Sequence, residues 1–138
     1  MPGWKSVDEI VAYRRAIKLR DLVVGLIDSG AIPYNYRLRE DLAAAARSVP
    51  DNISEGFDLY AHGLFGRHVA IAKGSLGELS TQLDEIHLRG FISDTQHAEL
   101  LHVLVETKRT TAGLLRHLKT TEAPPPWDAA GESEPDIT

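Results

Sequence analysis

Residues 65–86 read FGRHVAIAKGSLGELSTQLDEI, and the spacing of their apolar side chains predicts one long helix. Seven apolar residues recur at alternating steps of four and three positions: Phe65, Val69, Ala72, Leu76, Leu79, Leu83 and Ile86. This heptad repeat, called the seam below, is typical of helices that pack knobs into holes against other helices. The stretch therefore predicts the central packing helix of an all-α protein.

A line of small residues runs about 100° to one side of the seam, at the angle that separates neighbouring residues of a helix. Its members are Gly63, Gly66, Ala70, Gly74 and Gly77. A glycine inside a helix costs up to about 1 kcal/mol relative to alanine, so the row needs a compensating reason. We expect another backbone to lie close to it, either inside the bundle or in a neighbouring copy of the chain.

The first helix is predicted to begin at Ser6, where SVDE forms a capping box with Glu9, and to end in DSGAIP at Pro33. Its apolar stripe is Val7, Ile10, Tyr13, Ile17, Val24 and Ile27, widened by Leu19, Val23 and Leu26. The fourth helix is predicted to begin with a second capping box, SDTQ, from Ser93 to Gln96. Its stripe is Leu100, Leu104, Thr107, Thr111, Leu114 and Leu118. The two threonines predict a shallow or wet part of that face.

The second helix is predicted from about Tyr34, and its apolar stripe continues through Pro50 without losing phase. The stripe is Leu38, Leu42, Ala45, Val49, Ile53 and Phe57. Because proline lacks an amide hydrogen and crowds the preceding turn, we expect the helix to bend there rather than end. Ser48 and Asn52 would then serve the freed backbone groups, and Gly56 or Gly63 would release the chain. The alternative is two helices that meet at Pro50, the second capped by Ser48.

Four helices with short connections predict an up-down-up-down four-helix bundle over residues 1–120, since no segment has the alternation of a strand. Residues 121–138 contain five acids, no Lys or Arg and three consecutive prolines, so we expect a disordered acidic tail. Trp127 in that tail is either a docking anchor or incidental. Without the tail, acids and bases balance at 15 each.

Composition excludes several classes of protein. The absence of cysteine rules out disulfides and thiolate metal sites. The N-terminal residues do not resemble a signal peptide, and no apolar run approaches the ~20 residues that span a bilayer. We therefore expect a cytoplasmic protein without membrane contact.

A metal or catalytic site is not predicted. Glu99 and His102 have the Glu-x-x-His spacing of di-iron bundles, but the only partial echo is Asp84 with His87. No nucleophile lies in a glycine-framed elbow, and no glycine-rich loop has the order of a phosphate-binding motif. We expect no catalytic residue, cofactor or small-molecule substrate.

Basic residues cluster in the first two helices, at Arg14, Arg15, Lys18, Arg37 and Arg39. Such side chains bind the phosphates of RNA or DNA by releasing counterions. Acids lie among them, however, so the alternative is a solvated helix face.

Two motifs resemble a known family: SVPDNISEGF at residues 48–57 and GSLGELSTQL at residues 74–83, followed by RGFIS. Together they resemble the four-helix-bundle proteins encoded in ribosomal-RNA intervening sequences, over roughly residues 6–120. The resemblance implies a homopentamer without established enzymatic activity. It also implies kinship with the accessory protein of diversity-generating retroelements, which binds nucleic acid beside a reverse transcriptase. Asp41 and Ala44 depart from the Gln and Arg that the family typically carries there.

Both motifs carry residues that we assign to helix packing: Ser48, Pro50, Asn52, Glu55, Gly56, Gly74, Ser75, Gly77 and Glu78. The polar ones among them either form a site where the second and third helices face each other, or have a structural role, in which they satisfy the backbone that Pro50 opens or bond across a subunit interface. We expect a non-enzymatic, self-assembling scaffold or accessory interaction protein. The alternative function is an RNA- or DNA-binding accessory subunit of a reverse transcriptase in a diversity-generating retroelement.

Overall fold

A computed structural model describes residues 3–34, 36–122 and 124 of the chain. Four α-helices account for most of them: α1 (Val11–Asp28), α2 (Leu38–Asp58), α3 (Phe65–Leu88) and α4 (Asp94–Thr121). Two short 3-10 turns, Val7–Glu9 and Tyr60–His62, precede α1 and α3. No strand occurs in these described ranges, which confirms the all-α prediction.

The helices form a four-helix bundle in which each helix packs against the next along the chain and α4 closes against α1. Arg15, near the start of α1, pairs with Glu106 near the middle of α4, and Trp4, before α1, contacts His117 near the end of α4. Ser48 of α2 meets Ser75 of α3, and Asn52, one turn later in α2, meets His68, two turns earlier in α3. Neighbouring helices are therefore antiparallel, so the start of α1, the end of α2, the start of α3 and the end of α4 share one end of the bundle.

The seam of α3 is the centre of the core. All seven of its residues are completely buried. At its first residue, the Phe65 ring makes edge-to-face contacts with Trp4, Phe57 and Tyr60. These aromatic contacts close one end of the bundle around Phe65.

The core face of α1 differs from the predicted stripe. Its buried residues are Ala12, Ala16, Leu19, Val23, Leu26 and Ile27, whereas Tyr13, Ile17 and Val24 are only partly buried. The small side chains of Ala12 and Ala16 face the core, and the larger ones that were expected there lie at its edge. Periodicity identified the helix correctly but placed the centre of its inner face wrongly.

The predicted capping box at Ser6 is wrong. The Ser6 side chain makes no capping bond, and the Glu9 carboxylate accepts a hydrogen bond from the Lys5 amide instead of the Ser6 amide. Ile10, at φ −83° and ψ 119°, separates the 3-10 turn from α1 and is itself buried. The chain leaves the helical path here because burying Ile10 against the core stabilises it more than one further helical turn.

α2 continues through Pro50 as one helix, which shows that the alternative of two helices meeting at Pro50 is wrong. It begins at Leu38, later than predicted, and ends at Asp58. Gly63, at φ +70°, then turns the chain into α3 with a left-handed conformation that glycine adopts without steric cost. The bend at Pro50 stays a prediction.

The capping box of α4 is confirmed. Ser93 accepts from the Gln96 amide at 3.1 Å, and the Gln96 side chain accepts from the Ser93 amide at 2.8 Å. The expectation of a wet threonine face is wrong, because Thr107 and Thr111 are completely buried. The Thr107 hydroxyl donates to the Val103 carbonyl at 2.8 Å, a bond within the helix that lets threonine enter an apolar core.

Most of the predicted tail, with Trp127, lies outside the described residues. Thr121 is the last residue of α4, and Glu122 is its C-cap. Within the described ranges, no helix is long and apolar enough to cross a membrane.

Candidate functional site

A chain of polar side chains joins α2 to α3. The Ser48 and Ser75 hydroxyls lie 2.8 Å apart, and the Asn52 amide nitrogen donates to both the carbonyl and the hydroxyl of Ser48. The Asn52 carbonyl oxygen lies 3.2 Å from Nδ1 of His68. The two sequence motifs therefore meet in one hydrogen-bonded network between α2 and α3.

The network fixes the direction of the hydrogen bond between Asn52 and His68. Since the Asn52 nitrogen donates to Ser48, its carbonyl oxygen is the acceptor left for His68, and Nδ1 of His68 must carry the hydrogen. In the neutral ring, Nε2 is then the acceptor. The serine hydroxyls bond to each other and His68 bonds to Asn52, so the network does not place a base on a hydroxyl nucleophile.

The network does not serve the backbone group that Pro50 frees. Proline at this position leaves the Ala46 carbonyl without its usual amide donor. The Asn52 side chain instead donates to the Ser48 carbonyl, two residues further along. Glu55 and Glu78 lie at the margin: one Glu55 oxygen is 4.0 Å from Nδ1 of His68, and Glu78 faces solvent.

At Gly56, α2 approaches the start of α3 closely. A Cβ at this position would lie 2.8 Å from Cβ of His68 and 2.8 Å from a ring carbon of Phe65. Any larger residue would therefore push the two helices apart. The close backbone contact that the sequence predicts along α3 is found here instead, on a glycine of α2.

The small residues of α3 form an exposed surface, which we call the small-residue face: Ala70, Gly74 and Gly77, with Ile71 beside them. A Cβ added at Gly74 or Gly77 would meet nothing within 4 Å. None of the described residues rests on these two glycines, so the prediction of a backbone contact within the bundle is wrong for them. The alternative contact, with a neighbouring copy, stays a prediction.

The five predicted nucleic-acid-binding residues do not form one patch. Arg14, Arg15 and Lys18 lie in the first half of α1, whereas Arg37 and Arg39 flank the start of α2. Because α1 and α2 are antiparallel and a helix rises about 1.5 Å per residue, roughly 20 Å of bundle separates the two groups.

Three of these arginines are already engaged. Arg14 donates to the Asp8 carbonyl at 2.8 Å, Arg15 pairs with Glu106, and the Arg39 guanidinium lies 5.1 Å from the centre of the Tyr34 ring. Near Arg37 and Arg39, the Tyr36 hydroxyl donates to Glu85, and this hydrogen bond raises the pKa of Tyr36. That end of the bundle therefore mixes acids, aromatics and bases instead of presenting positive charge alone.

A second group of basic residues, which we call the cationic face, was missed by the sequence analysis. It consists of Lys73 on α3 and Lys108, Arg109, Arg116 and Lys119 on α4. At 100° per residue, the four α4 side chains fall within an arc of about 100°. None of the five is ion-paired among the residues that the structure describes.

The cationic face also lacks acids, which is the signal that would have revealed it. Residues 59–77 and 107–121 contain no Asp or Glu. The antiparallel course of α3 and α4 brings these two acid-free segments to the same end of the bundle. Only the fold shows that they are neighbours, because 29 residues separate them in the chain.

Glu122 closes this end of the bundle. Its two carboxylate oxygens accept hydrogen bonds from the Gly66 amide, at 2.6 and 2.9 Å, and so cap the start of α3. Partial burial raises the pKa of Glu122, an effect that the bonds from the Gly66 and Phe65 amides oppose. The Tyr60 hydroxyl donates to the Thr121 carbonyl at 2.9 Å, which fixes the same segment from the other side.

The weak metal-like pairs of the sequence do not form in the structure. His102 lies 3.5 Å from Glu106 rather than pairing with Glu99, and Asp84 pairs with His97 at 2.9 Å rather than with His87. His87 bonds to Asp94 and stacks on His97, with the ring centres 3.9 Å apart. No group of three or more metal-ligating side chains occurs in the described part of the chain.

Comparison with known families identifies the relatives of this bundle. The family model described as 23S rRNA-intervening sequence protein matches residues 8–113, which is most of the chain and all but the last turns of the bundle. No match to a curated protein was found. The chain therefore belongs to the 23S rRNA-intervening sequence protein family, which confirms the resemblance carried by the two motifs. The kinship with the accessory protein of diversity-generating retroelements stays a prediction.

Proposed function

We propose that this member of the 23S rRNA-intervening sequence protein family is a non-enzymatic scaffold that assembles through the small-residue face of α3. The observation that carries the proposal is the open space around Gly74 and Gly77. Both glycines lie well inside a long helix, where alanine would be more stable by about 1 kcal/mol each. Neither is needed for packing within the chain.

Close contact with a second copy of the chain would explain why glycine occupies these two positions. Without a Cβ, α3 offers a flat surface that another helix can approach closely. Ile71, at 48% exposed, adds an apolar side chain to the edge of this surface. A contact of this kind would bury Ile71 and the glycine backbone together, and so recover the cost of the glycines.

Five copies per assembly is the number that the family resemblance implies, and we propose a homopentamer. Each chain contributes 15.2 kDa. In a ring, every chain would use its small-residue face against a different surface of the next chain, which is the geometry of a closed head-to-tail contact.

Alanine substitution separates assembly from folding. Gly74→Ala and Gly77→Ala should each strengthen α3 in the isolated chain but weaken the assembly, because the new methyl group would meet the neighbouring copy. Gly25→Ala, at an equally open site in α1, is the matched control and should leave the assembly intact. Native mass and denaturant unfolding should be measured on all three variants. Assembly that is unchanged in all three would contradict the proposal.

A second candidate function is RNA or DNA binding as an accessory subunit, and the cationic face favours it. Five basic side chains that have no ion pair with any described residue, surrounded by acid-free segments, form the kind of surface that binds phosphates through counterion release. In a ring of copies, the same face would repeat around the assembly. The reverse transcriptase that the resemblance implies as a partner stays a prediction.

A salt titration tests this second function and locates the site. Binding to a single-stranded RNA should weaken as salt rises, with a slope of about 0.7 per phosphate neutralised. Lys108→Ala, Arg116→Ala and Lys119→Ala together should reduce both affinity and slope. Arg37→Ala with Arg39→Ala, at the other end of the bundle, is the control and should change little. Absence of binding at low salt would contradict the proposal.

A further inference from the structure

We infer that the acidic C-terminal segment of the chain, residues 125–138, docks on its own cationic face and competes there with polyanions. The competition rests on the proposed nucleic-acid binding, whereas the docking itself can be measured without nucleic acid. Three observations carry the inference: where the segment leaves the bundle, how far it can reach, and how its charge compares with that of the face.

The exit point is fixed at the edge of the cationic face. Glu122 is bonded to the Gly66 amide, and Thr121 accepts from Tyr60, so the end of α4 is tied to the start of α3. Lys119 lies one turn before this tie. Since α3 and α4 rise about 1.5 Å per residue in opposite directions, Lys73 reaches the level of Leu115, within the row of α4 cations.

The length of the segment matches the face. The row of cations from Lys119 back to Lys108 is about 16 Å long at the helical rise. An extended chain spans about 3.3 Å per residue, so Asp128 can lie up to about 13 Å from Pro124, and Asp136 up to about 40 Å. The segment can therefore fold back along α4 and bring each of its acids to the row.

The charges are complementary. The segment contains Asp128, Glu132, Glu134 and Asp136 and no Lys or Arg. The face offers five cations that have no ion-pair partner in the described part of the chain. Since the tether keeps the segment at millimolar effective concentration, even weak attraction suffices for substantial occupancy at low salt.

The contact can be detected by zero-length carbodiimide cross-linking of the full chain, which joins lysine amines to carboxylates in contact. The chain has five lysines, so Lys5 and Lys18 act as internal controls for Lys73, Lys108 and Lys119. At about 50 mM salt, we expect the tail acids to link to the three lysines of the face, and these links should diminish at about 1 M salt. Tail links spread evenly over all five lysines, or absent from the face, would overturn the inference.

Isotope mixing distinguishes a chain that binds its own tail from one that binds a neighbour's tail. In assemblies of mixed labelled and unlabelled chains, the inference expects links within one chain. Links found only between chains would overturn the intramolecular contact.

The consequence is tested with a variant whose tail is neutral: Asp128→Asn, Glu132→Gln, Glu134→Gln and Asp136→Asn. It should bind a single-stranded RNA homopolymer about tenfold more tightly than the wild type at low salt, because the tethered competitor is removed. A control with Asp28→Asn, Asp51→Asn and Glu99→Gln changes net charge similarly, away from the face, and should show a much smaller gain. Equal gains in RNA affinity in both variants would contradict the proposed competition between the tail and RNA. Cross-links to the face without any RNA binding would retain the docked tail and refute the proposed nucleic-acid function instead.

Discussion

Gly56 of α2 lies so close to His68 of α3 that a Cβ at residue 56 would stand only 2.8 Å from the His68 Cβ. This contact lies one turn from the hydrogen bond between Asn52 and His68. The motif around Pro50 therefore contacts α3 on two successive turns of α2. Asn52 forms a hydrogen bond with α3, and Gly56 packs directly against it. Both contacts hold α2 against the first turns of α3.

Gly56→Ala should destabilise the fold by about 2 kcal/mol, because the new methyl group would clash with Cβ of His68 and with the buried Phe65 ring. Neither can move without shifting α3. Gly25→Ala is the control: its site is open, so alanine should stabilise α1 by up to about 1 kcal/mol. Urea unfolding of both variants measures the difference, and a neutral or stabilising Gly56→Ala would refute the close approach.

Asn52→Ala should cost about 2 kcal/mol of unfolding free energy, because it leaves the Ser48 hydroxyl and Nδ1 of His68 short of a partner in a partly buried setting. Thr81→Ala removes an exposed hydroxyl that bonds within its own helix, and should cost far less. If the two substitutions are equally mild in denaturant titrations, the interhelical network does not contribute to stability.

Thr111→Val should stabilise the protein by about 1 kcal/mol, since the Thr111 hydroxyl is buried without a hydrogen-bond partner among the described residues. Thr107→Val keeps the same shape but removes a 2.8 Å bond to Val103, so it should be neutral or destabilising. The pair is compared by thermal or urea unfolding. The reverse order of stabilities would show that Thr111 has a partner and that the Thr107 bond is of little value.

Glu122 should give the fold a pH dependence that Glu122→Gln lacks. Burial raises its pKa in the folded chain above the usual 4.5, so the folded state binds a proton more readily than the unfolded state. Its contribution to stability is therefore full below pH 4.5 and is lost as the pH rises through the raised value.

The measurement is the difference in unfolding free energy between the wild type and Glu122→Gln at several pH values. We expect the unfolding free energy of the wild type to rise relative to that of Glu122→Gln as the pH is lowered from 7 through the raised pKa. Glu99→Gln, an exposed site on α4, is the control. If acidification instead lowers the unfolding free energy of the wild type relative to Glu122→Gln, the amide hydrogen bonds from α3 outweigh the effect of burial on the pKa of Glu122.

The seam of α3 could be predicted residue by residue because α3 packs against both α2 and α4, and this contact buries the residues of the heptad repeat. The two capping boxes show the limit of local motifs. Ser93 and Gln96 form theirs, whereas Ser6 and Glu9 do not, since burial of Ile10 pulls the chain out of the helix there. A four-residue pattern cannot report that competition.

Whether the small-residue face is open, and which basic side chains form the cationic face, depends on how the helices pack and could not be predicted from the sequence. The phase of a glycine in a helix gives the face on which it lies but not how closely a neighbouring helix approaches that face, so the sequence did not distinguish the crowded Gly56 from the open Gly74. Charge clustering was judged along the chain, which favoured α1 and α2. The antiparallel pairing of α3 and α4 instead brings Lys73 to the level of Leu115, among the α4 cations, although the two segments lie far apart in the sequence.

Sedimentation equilibrium of the wild type beside Gly74→Leu and Lys18→Ala tests the central claim most directly, namely that the small-residue face of α3 joins copies of the chain. We expect the wild type and Lys18→Ala to sediment as five chains of 15.2 kDa each, and Gly74→Leu to sediment as a folded single chain, because leucine there meets nothing inside the bundle. A compact, single-chain wild type, or a Gly74→Leu variant that assembles as the wild type does, would contradict the account.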